Sequence, residues 1–423
     1  MDFLTLRDGP LTLANLTVPG CFAGRPTDDT LRMDIGIDGD RLTPPGAGTV
    51  VDMKGAMALP CFVDMHTHLD KGHIWARKPN PDGTFMGALT SVGEDREANW
   101  SAGDVRRRME FALRCAWAHG TRAIRTHLDS IPPQEDISWP LFRQIRAEWA
   151  GRIDLQAVCL IGIDRVAETD DFRHLADVVA ESGGVLGVVS YPDPDLSDRL
   201  RLFFAMAAER DLAADFHVDE TLDPGVNTLH TIAEIVLETG FAAPVTVGHC
   251  CSQSVLPDDE TAATLDLVAK AGINVVSLPL CNLYLQDRHA GRTPRYRGIT
   301  LVHEMKARGI NVSFASDNTR DPFYAYGDLD MVEVLREATR IGHLDHADPD
   351  WIKALVSNPA AACGFDGPGL APGAPADLVI FRARNWNELL ARPQADRVVI
   401  RGGRQIDRTL PDYAELDDLM ETA

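Results

Sequence analysis

The sequence lacks several features of exported and membrane proteins. Its eight cysteines form no C-x-x-C pair, and no apolar run is long enough to span a membrane. The first residues, "MDFLTLRDGPLTL", contain no basic segment followed by an apolar core, as a secretion signal would. We therefore expect reduced, mostly structural cysteines and a cytoplasmic protein.

An excess of positive charge is also lacking. Asp and Glu number 63 against 41 Lys and Arg, which gives a formal net charge of -22. Nucleic acids and anionic membranes are themselves negative, so an acidic chain has no general electrostatic attraction to them. We expect neither as a partner, and a small neutral or weakly basic molecule fits better. The number of subunits stays open, a homo-oligomer included.

Eight apolar runs alternate along the chain with segments of helical period. The helical segments include residues 101–120, 196–211 and 258–272. Strand alternating with helix eight times predicts an α/β fold, the parallel (β/α)8 TIM barrel, whose chemistry lies at the carboxyl ends of the strands. The eight runs end at Asp64, Asp129, Leu160, Asp193, Glu220, His249, Leu278 and Asn318.

The two ends of the chain differ from this middle part. Residues 1–57 and 366–423 contain short β-like pieces with turn signals, such as "GIDGDRLTPPGAG" and "RVVIRGGRQI". We expect the two ends to pair as one small β domain, while residues 58–365 form the barrel. A chain of 423 residues can bury a core large enough for both.

The stretch "DMHTHLD" follows an apolar run directly and predicts a metal site. Side chains alternate across a strand, so His66 and His68 project to the same side. Other predicted strand ends contribute His217, His249 and Asp317. Imidazoles and a carboxylate that converge on a barrel mouth suit zinc or ferrous iron. The alternative is histidines that cap a strand without metal, and the shared position at strand ends favours the metal site over it.

A hydrolytic site also needs a group that moves protons. Glu220 lies three residues after His217, where strand gives way to loop. The alternative is a solvent-facing acid in a run with Asp219 and Asp223, but the neighbouring histidine favours the catalytic interpretation. His249 could complete the metal shell, or it could hold the attacking hydroxide and polarise the bond under attack.

From about residue 50 to 410, the chain resembles the metal-dependent amidohydrolase superfamily. Within it, the chain is most similar to bacterial cytosine deaminase and its close relatives. The stretches that carry the resemblance include "PCFVDMHTHLDK", "HGTRAIRTHLDS", "DFHVDET", "VTVGHCCS" and "FASDNTRDPFYAYGDLDMVEVL". Several such stretches in the right order are far more specific than one H-x-H motif.

The resemblance implies one divalent metal ion, zinc or iron, with manganese as a further candidate. The family's ligands match His66, His68, His217 and Asp317. The glutamate matching Glu220 shuttles protons, and the histidine matching His249 helps to orient and activate the water, with the metal-binding aspartate also positioning it. Binuclear members have a modified lysine at the end of strand four, and "GVLGVVSYPDPD" contains no lysine.

The resemblance also implies a substrate-binding set, in which this sequence departs from cytosine deaminase. Gly162 aligns with a glutamine that reads the pyrimidine, and Asn318 replaces an aspartate that contacts the ring. Phe323 replaces a tryptophan and keeps an apolar wall. An amide both donates and accepts hydrogen bonds, so the ring pattern that is preferred can change. Glu220 and His249 complete the set.

We therefore predict a metal-dependent hydrolytic deaminase of an amino-substituted N-heterocycle, which releases ammonia. The candidate substrates are cytosine, 5-methylcytosine and related aminopyrimidines or purines. One alternative is an amidohydrolase that releases an alkylamine from an aminotriazine or opens a small cyclic amide. A second alternative is a catalytically inactive barrel scaffold, although a scaffold has no need of six such residues.

Three further residues are weighed outside this set. His127 in "IRTHLDS" lies at a strand end, but we expect it to be structural or to support a ligand. Lys71 and His73 belong to a long loop after strand one, and such loops often cover a pocket. Contact with substrate and an ordinary solvated loop are both open for these two.

Overall fold

A computed structural model describes residues 5–26, 29–46, 48–167 and 169–421. The strands are β1 Leu11–Pro19, β2 Thr30–Asp38, β3 Arg41–Thr43, β4 Thr49–Asp52, β5 Met57–Pro60, β6 Phe62–Thr67, β7 Thr121–Asp129, β8 Asp154–Leu160, β9 Leu186–Ser190, β10 Ala214–Val218, β11 Val245–His249, β12 Asn274–Ser277, β13 Val312–Phe314, β14 Leu378–Phe381, β15 Val398–Arg401 and β16 Arg404–Gln405. The α-helices are α1 Phe85–Asn99, α2 Ala102–His119, α3 Glu135–Trp149, α4 Asp170–Glu181, α5 Leu196–Ala208, α6 Thr228–Thr239, α7 Asp258–Lys270, α8 Pro279–Leu285, α9 Val302–Ala307, α10 Met331–Gly342, α11 Ser357–Cys363, α12 Trp386–Ala391 and α13 Asp417–Met420. Short 3-10 helices lie at Gly20–Phe22, Ile163–Arg165, Cys251–Ser254, Leu344–His346, Trp351–Leu355 and Tyr413–Leu416.

Strands β6 to β13 are parallel and lie in two sheets, with the orders β6-β7-β8 and β13-β12-β11-β10-β9. Parallel bridges join the two sheets on both sides. Val158 pairs with Val185 between β8 and β9, and Thr67 pairs with Asp317 between the ends of β6 and β13. The eight strands thus have the α/β fold of the TIM barrel family, in which all carboxyl ends share one rim.

Five of the eight strands end at positions that differ from the sequence prediction. Strands β9, β10 and β12 end slightly early, at Ser190, Val218 and Ser277 rather than at Asp193, Glu220 and Leu278. The first was expected to end at Asp64, but β6 continues to Thr67 and therefore includes His66. The eighth was expected to reach Asn318, but β13 ends at Phe314. Asp317 has a φ of 64°, in the left-handed region, which an extended strand does not accommodate. Asp317 therefore reaches the rim from a turn.

The helix predicted over residues 101–120 is α2, and its ends follow from local chemistry. The Ser101 side chain accepts a hydrogen bond from the Asp104 backbone N–H and caps the start. Gly120 adopts a φ of 96° at the other end, a conformation that costs glycine little. None of the described helices is both long and apolar enough to cross a lipid bilayer.

A second sheet combines strands from both ends of the chain, in the order β16-β15-β14-β5-β1-β2-β3, with β4 beside β1. The two ends meet where β14 pairs antiparallel with β5, for example Val379 opposite Leu59. Strand β5 leads into β6 through one residue, Cys61. The C-terminal strands thus join the N-terminal sheet, as expected, whereas the domain boundaries at residues 57 and 366 stay predictions.

Candidate active site

Three histidines and an aspartate converge at the carboxyl ends of β6, β10 and β13. The Nε2 atom of His217 lies 3.1 Å from His66 Nε2 and 3.3 Å from His68 Nε2. Asp317 Oδ1 lies 3.5 Å from His66 Nε2 and 3.2 Å from His68 Nε2. All four residues are buried. The residues predicted as metal ligands are therefore brought together, and this donor set fits a divalent cation.

Local backbone features position these ligands. His66 lies within β6, and the Asp317 N–H donates to its carbonyl oxygen over 2.9 Å. Gly248 in β11 leaves space for the same imidazole, since a Cβ atom there would lie 3.1 Å from His66 Cε1. A side chain on residue 248 would therefore push against a ligand. This close approach accounts for glycine in the "VTVGH" stretch.

The ring of His127 packs directly against this cluster. Its ring centroid is 4.0 Å from that of His66 and 4.6 Å from that of His217. His127 Nε2 donates to Asp215 Oδ1 over 3.2 Å, and Arg125 Nη1 donates to the other carboxylate oxygen over 2.9 Å. Asp215 thus fixes the ring of His127 beside the predicted ligands, and His127 itself offers a nitrogen within 4.8 Å of ligand atoms of His66, His68 and His217. Its expected role, structural or in support of a ligand, stays a prediction.

Glu220 and His249 face each other beside the cluster. His249 Nδ1 lies 3.6 Å from Glu220 Oε1 and accepts a hydrogen bond from Asn282 Nδ2 over 2.9 Å. The proton of the neutral imidazole is therefore on Nε2, where it can be donated. Gln286 Nε2 donates to the Glu220 carbonyl oxygen over 3.1 Å and fixes the backbone. Sequence reasoning missed Asn282, because "LPLCNLYLQDR" carries no motif for this contact.

Burial dominates the electrostatics of the site. It lowers the pKa values of His66, His68 and His217 well below the ordinary value, and neighbouring imidazoles lower them further. These rings are therefore neutral, as metal ligands must be. Burial also raises the pKa of Asp317 to about 8 and the pKa of Glu220 well above its ordinary value. A cation among these groups would favour the ionised form of both carboxyl groups.

Two of the predicted substrate-binding residues, Asn318 and Phe323, share Cys281 as a neighbour with Glu220. Asn318 Nδ2 donates to Asp321 Oδ2 over 2.8 Å, and the Cys281 thiol lies 3.6 Å from Asn318 Oδ1 and 4.0 Å from Glu220 Oε1. Phe323 is buried, and the Asp321 carboxylate accepts its backbone N–H over 2.8 Å. Asp321 thereby holds the amide and the aromatic wall in fixed positions.

Gly162 has a different environment. It forms a bridge with Val189 at the junction of β8 and β9. A Cβ atom there would lie 2.7 Å from the Tyr191 hydroxyl and 2.4 Å from an Asp164 carboxylate oxygen. The Tyr191 hydroxyl donates to that same carboxylate. Among the described residues, the close neighbours of Gly162 are therefore Tyr191 and Asp164, and its predicted role toward substrate stays a prediction.

A cleft of about 650 Å³ lies beside residues 221–224, the segment that follows Glu220 in the chain. Phe85 lines it, and the ring of Phe85 contacts the ring of Phe323 with centroids 5.5 Å apart. Thr221, next to Glu220, and Leu285, at the end of α8, line it as well. Phe85 therefore contacts Phe323 on one side and lines the cleft on the other.

The sequence profile described as "Amidohydrolase family" matches residues 155–407. That range covers more than half of the chain and contains four of the six central residues, His217, Glu220, His249 and Asp317. The chain belongs to the amidohydrolase family. The superfamily inferred from the sequence is therefore confirmed.

Proteins of known activity resemble the whole chain. Pterin deaminase of Rhizobium rhizogenes is 53% identical over 420 residues, which cover 96% of each chain. N-isopropylammelide isopropyl amidohydrolase of Pseudomonas sp. is 25% identical, over 88% of this chain and 93% of that protein. The crystal structure of 5-methylcytosine deaminase from Klebsiella pneumoniae with 5-fluorocytosine has a TM-score of 0.80 at 26% identity, covering 95% of this chain and 98% of that one.

These similarities agree with the geometry of the site. The protein is a hydrolase that acts on C–N bonds, an aminoheterocycle deaminase of the amidohydrolase family. The cluster of His66, His68 and His217 is a metal site typical of amidohydrolases. Its substrate is a small heterocycle. The reaction class predicted from the sequence is confirmed, and the scaffold alternative is excluded.

Proposed function

We propose that this enzyme hydrolyses the exocyclic amino group of a pterin and releases ammonia. The observation that carries the proposal is the 53% identity to pterin deaminase over 96% of both chains. A pterin contains a 2-amino-4-oxopyrimidine fused to a second ring. The expected aminopyrimidine chemistry is therefore retained, and the cleft beside Phe85 and Phe323 offers volume for the additional ring.

We propose that a single divalent ion is held by His66, His68, His217 and Asp317. Three imidazole nitrogens and one carboxylate oxygen suit zinc or ferrous iron, and manganese is a further candidate. When bound, such an ion supplies Lewis acidity that lowers the pKa of water toward about 7. Metal analysis of the purified protein should give about one ion per chain, as expected for a four-ligand mononuclear site.

The side chains around this ion have separate roles in the reaction. Glu220 takes one proton from the attacking water and transfers it to a ring nitrogen. It then takes the second proton from the newly attached oxygen and transfers it to the amino group, so that ammonia departs and the oxo group remains. His249, whose Nδ1 accepts from Asn282, directs its Nε2–H at the attacking oxygen. The new C–O bond forms at the carbon that carries the amino group, and the C–N bond then breaks.

The catalytic cluster brings Glu220 within 3.6 Å of His249, which supports this division. Asn318 and Phe323 are proposed to contact the ring, since both lie near the Cys281 thiol, which is 4.0 Å from Glu220 Oε1. An amide at residue 318 can pair with ring atoms of either hydrogen-bonding type. Gly162 is proposed to leave space at the rim beside Tyr191.

The test is incubation of the purified protein with pterin, followed by assays for ammonia and for the dioxo product. Cytosine, 5-methylcytosine, guanine and N-isopropylammelide serve as parallel substrates. We expect ammonia from pterin with the highest kcat/KM. Release of isopropylamine from N-isopropylammelide, with pterin left unchanged, would support the alkylamine alternative instead. A preference for cytosine would indicate that the substrate is a monocyclic pyrimidine.

A further inference from the structure

Lys71 is a buried cation in the turn after β6. The side chain is 6% exposed, and its Nζ lies 3.0 Å from Asp129 Oδ1. Arg96 Nη1 lies 3.0 Å from the other oxygen of the same carboxylate. Asp129 therefore has a second cationic partner besides Lys71. Burying a charged side chain is costly, so its presence requires a compensating contact.

The Lys71 ammonium faces the proposed substrate site. Its Nζ lies 5.4 Å from the centroid of the Phe323 ring, and its backbone N–H donates to the His68 carbonyl over 3.3 Å. Burial raises the pKa values of Glu220 and Asp317, and the Lys71 charge opposes that rise in both. The ammonium is thus close enough to act on the groups at the centre of the site.

The hydrogen bonds of this ammonium are incomplete. An ammonium has three N–H donors, and Asp129 is the acceptor found for Nζ among the described residues. Buried donors normally have acceptors, and an ammonium has a strong preference for them. The Phe323 ring, whose centroid lies 5.4 Å from Nζ, is a further neighbour of the ammonium.

We propose that Lys71 binds the ring carbonyl oxygen at position 4 of the substrate and makes the enzyme selective for 4-oxo heterocycles. This inference rests on the proposed function, because a pterin carries that oxygen. The glutamine that reads the ring carbonyl in cytosine deaminase has its counterpart here in Gly162, which lies beside Tyr191 and Asp164. Lys71 supplies a donor from a different element, the turn after β6.

The contact has a specific chemical consequence. A donor that is buried and charged discriminates strongly against a ligand without the matching acceptor, because the donor is then left unpaired. Holding the carbonyl oxygen also fixes the ring in its plane and directs the amino-bearing carbon toward Glu220. Lys71 is thus a specificity-determining residue rather than a proton carrier.

The test compares Lys71→Met with Arg96→Met, because both variants remove one cation from Asp129 and only the first removes the ammonium beside Phe323. The substrates are pterin and 2-aminopteridine, which lacks the 4-oxo group. For Lys71→Met we expect kcat/KM for pterin to fall roughly 10- to 100-fold, the effect of a charge-assisted hydrogen bond. The rate with 2-aminopteridine should stay within a few-fold of the wild type.

A binding measurement provides a second readout. Pteridin-4-one has the carbonyl oxygen but no amino group, and its affinity should fall by a similar factor in Lys71→Met. Arg96→Met should change both substrates equally. Equal losses for both substrates in Lys71→Met, with unchanged affinity for pteridin-4-one, would show that Lys71 only supports Asp129. If Lys71→Met does not fold, Lys71→Gln retains an N–H donor without the charge and should show a smaller selectivity loss.

Failure of the proposed function gives a different result. If the wild type leaves pterin unchanged but deaminates another oxo-heterocycle, the same variants are compared on that substrate and its deoxo analogue. Loss of the oxo preference in Lys71→Met then supports the inference although pterin is not the substrate. If Lys71→Met and the wild type have the same preference for the oxo substrate, the inference about Lys71 is overturned.

Discussion

The inner and outer halves of the active site are built in different ways. The inner half consists of the proposed metal ligands His66, His68, His217 and Asp317, which lie at strand ends or in a turn directly after a strand. The outer half consists of Lys71, Cys281, Asn282, Asn318 and Phe323, which lie on helix α8 and on loops. Strands of one barrel fix the positions of the inner residues relative to one another. The outer residues depend on contacts between loops, which lets substrate selectivity change while the metal site is retained.

Removing a ligand from the inner half should have the largest effect. We expect His66→Ala to lose both its metal and its measurable activity, because the cluster loses a nitrogen at its centre. Metal analysis and an ammonia assay check this. His346→Ala is the matched control, since that side chain is 93% exposed. Retention of metal and near-normal rates in His66→Ala would contradict the proposal that His66 is a metal ligand.

Glu220 lies at the boundary of the two halves, and Glu220→Gln should separate metal binding from catalysis. The amide keeps the shape of the side chain but cannot take a proton, so we expect kcat to fall about 10²- to 10⁴-fold while metal content is unchanged. Glu209→Gln, at an exposed side chain, is the control. Substantial turnover by the Glu220 variant would mean that another group transfers the proton.

A change in the outer half should be smaller and should leave the metal in place. Asn318→Ala removes the donor to Asp321 Oδ2 and the acceptor near the Cys281 thiol. We expect kcat/KM to fall about 10- to 100-fold, because a buried hydrogen-bonding group is left without its partner. Metal content should equal that of the wild type. A parallel loss of metal would contradict the separation of the two halves.

The smallest effect should come from the space behind His66. Gly248→Ala places a methyl group about 3.1 Å from His66 Cε1, so the ring must shift by a few tenths of an ångström. We expect metal affinity to fall about 10-fold and stability by about 1 kcal/mol. Gly93→Ala is the control, since a Cβ atom there would come no closer than 4.0 Å to the Arg96 side chain and alanine favours the helix. An unchanged metal affinity in Gly248→Ala would show that the ring accommodates the methyl group.

Much of the fold could be predicted from the sequence. The strand predicted from "TRAIRTHLD" is β7, and the helix predicted over residues 101–120 is α2. Strand-end histidines were sufficient to identify the metal cluster, because a parallel barrel places all strand ends on one rim. The end of β13 was predicted too late, since the strand ends at Phe314, and Asp317 follows in a turn with a positive φ and a bridge to Thr67 that is distant in the chain.

The outer half was less accessible to sequence reasoning. Asn282 holds His249 across 33 positions of the chain, and Lys71 was left between substrate contact and a solvated loop. Neither residue belongs to a periodic pattern. Lys71 proves to be buried, and the Asp129 carboxylate at the end of β7 compensates its charge. Such partners are brought together by packing, which a linear pattern does not record.

By itself, the sequence determined the alternation of strands and helices and the chemical types available at the strand ends. Those properties follow from local periodicity and from side-chain chemistry, both of which are fixed by neighbouring residues. Only the tertiary structure decided which loops cover the site, which imidazole nitrogen is free and which lysine is buried. Each of these depends on burial and on contacts between residues far apart in the chain, which exist only once the barrel has formed.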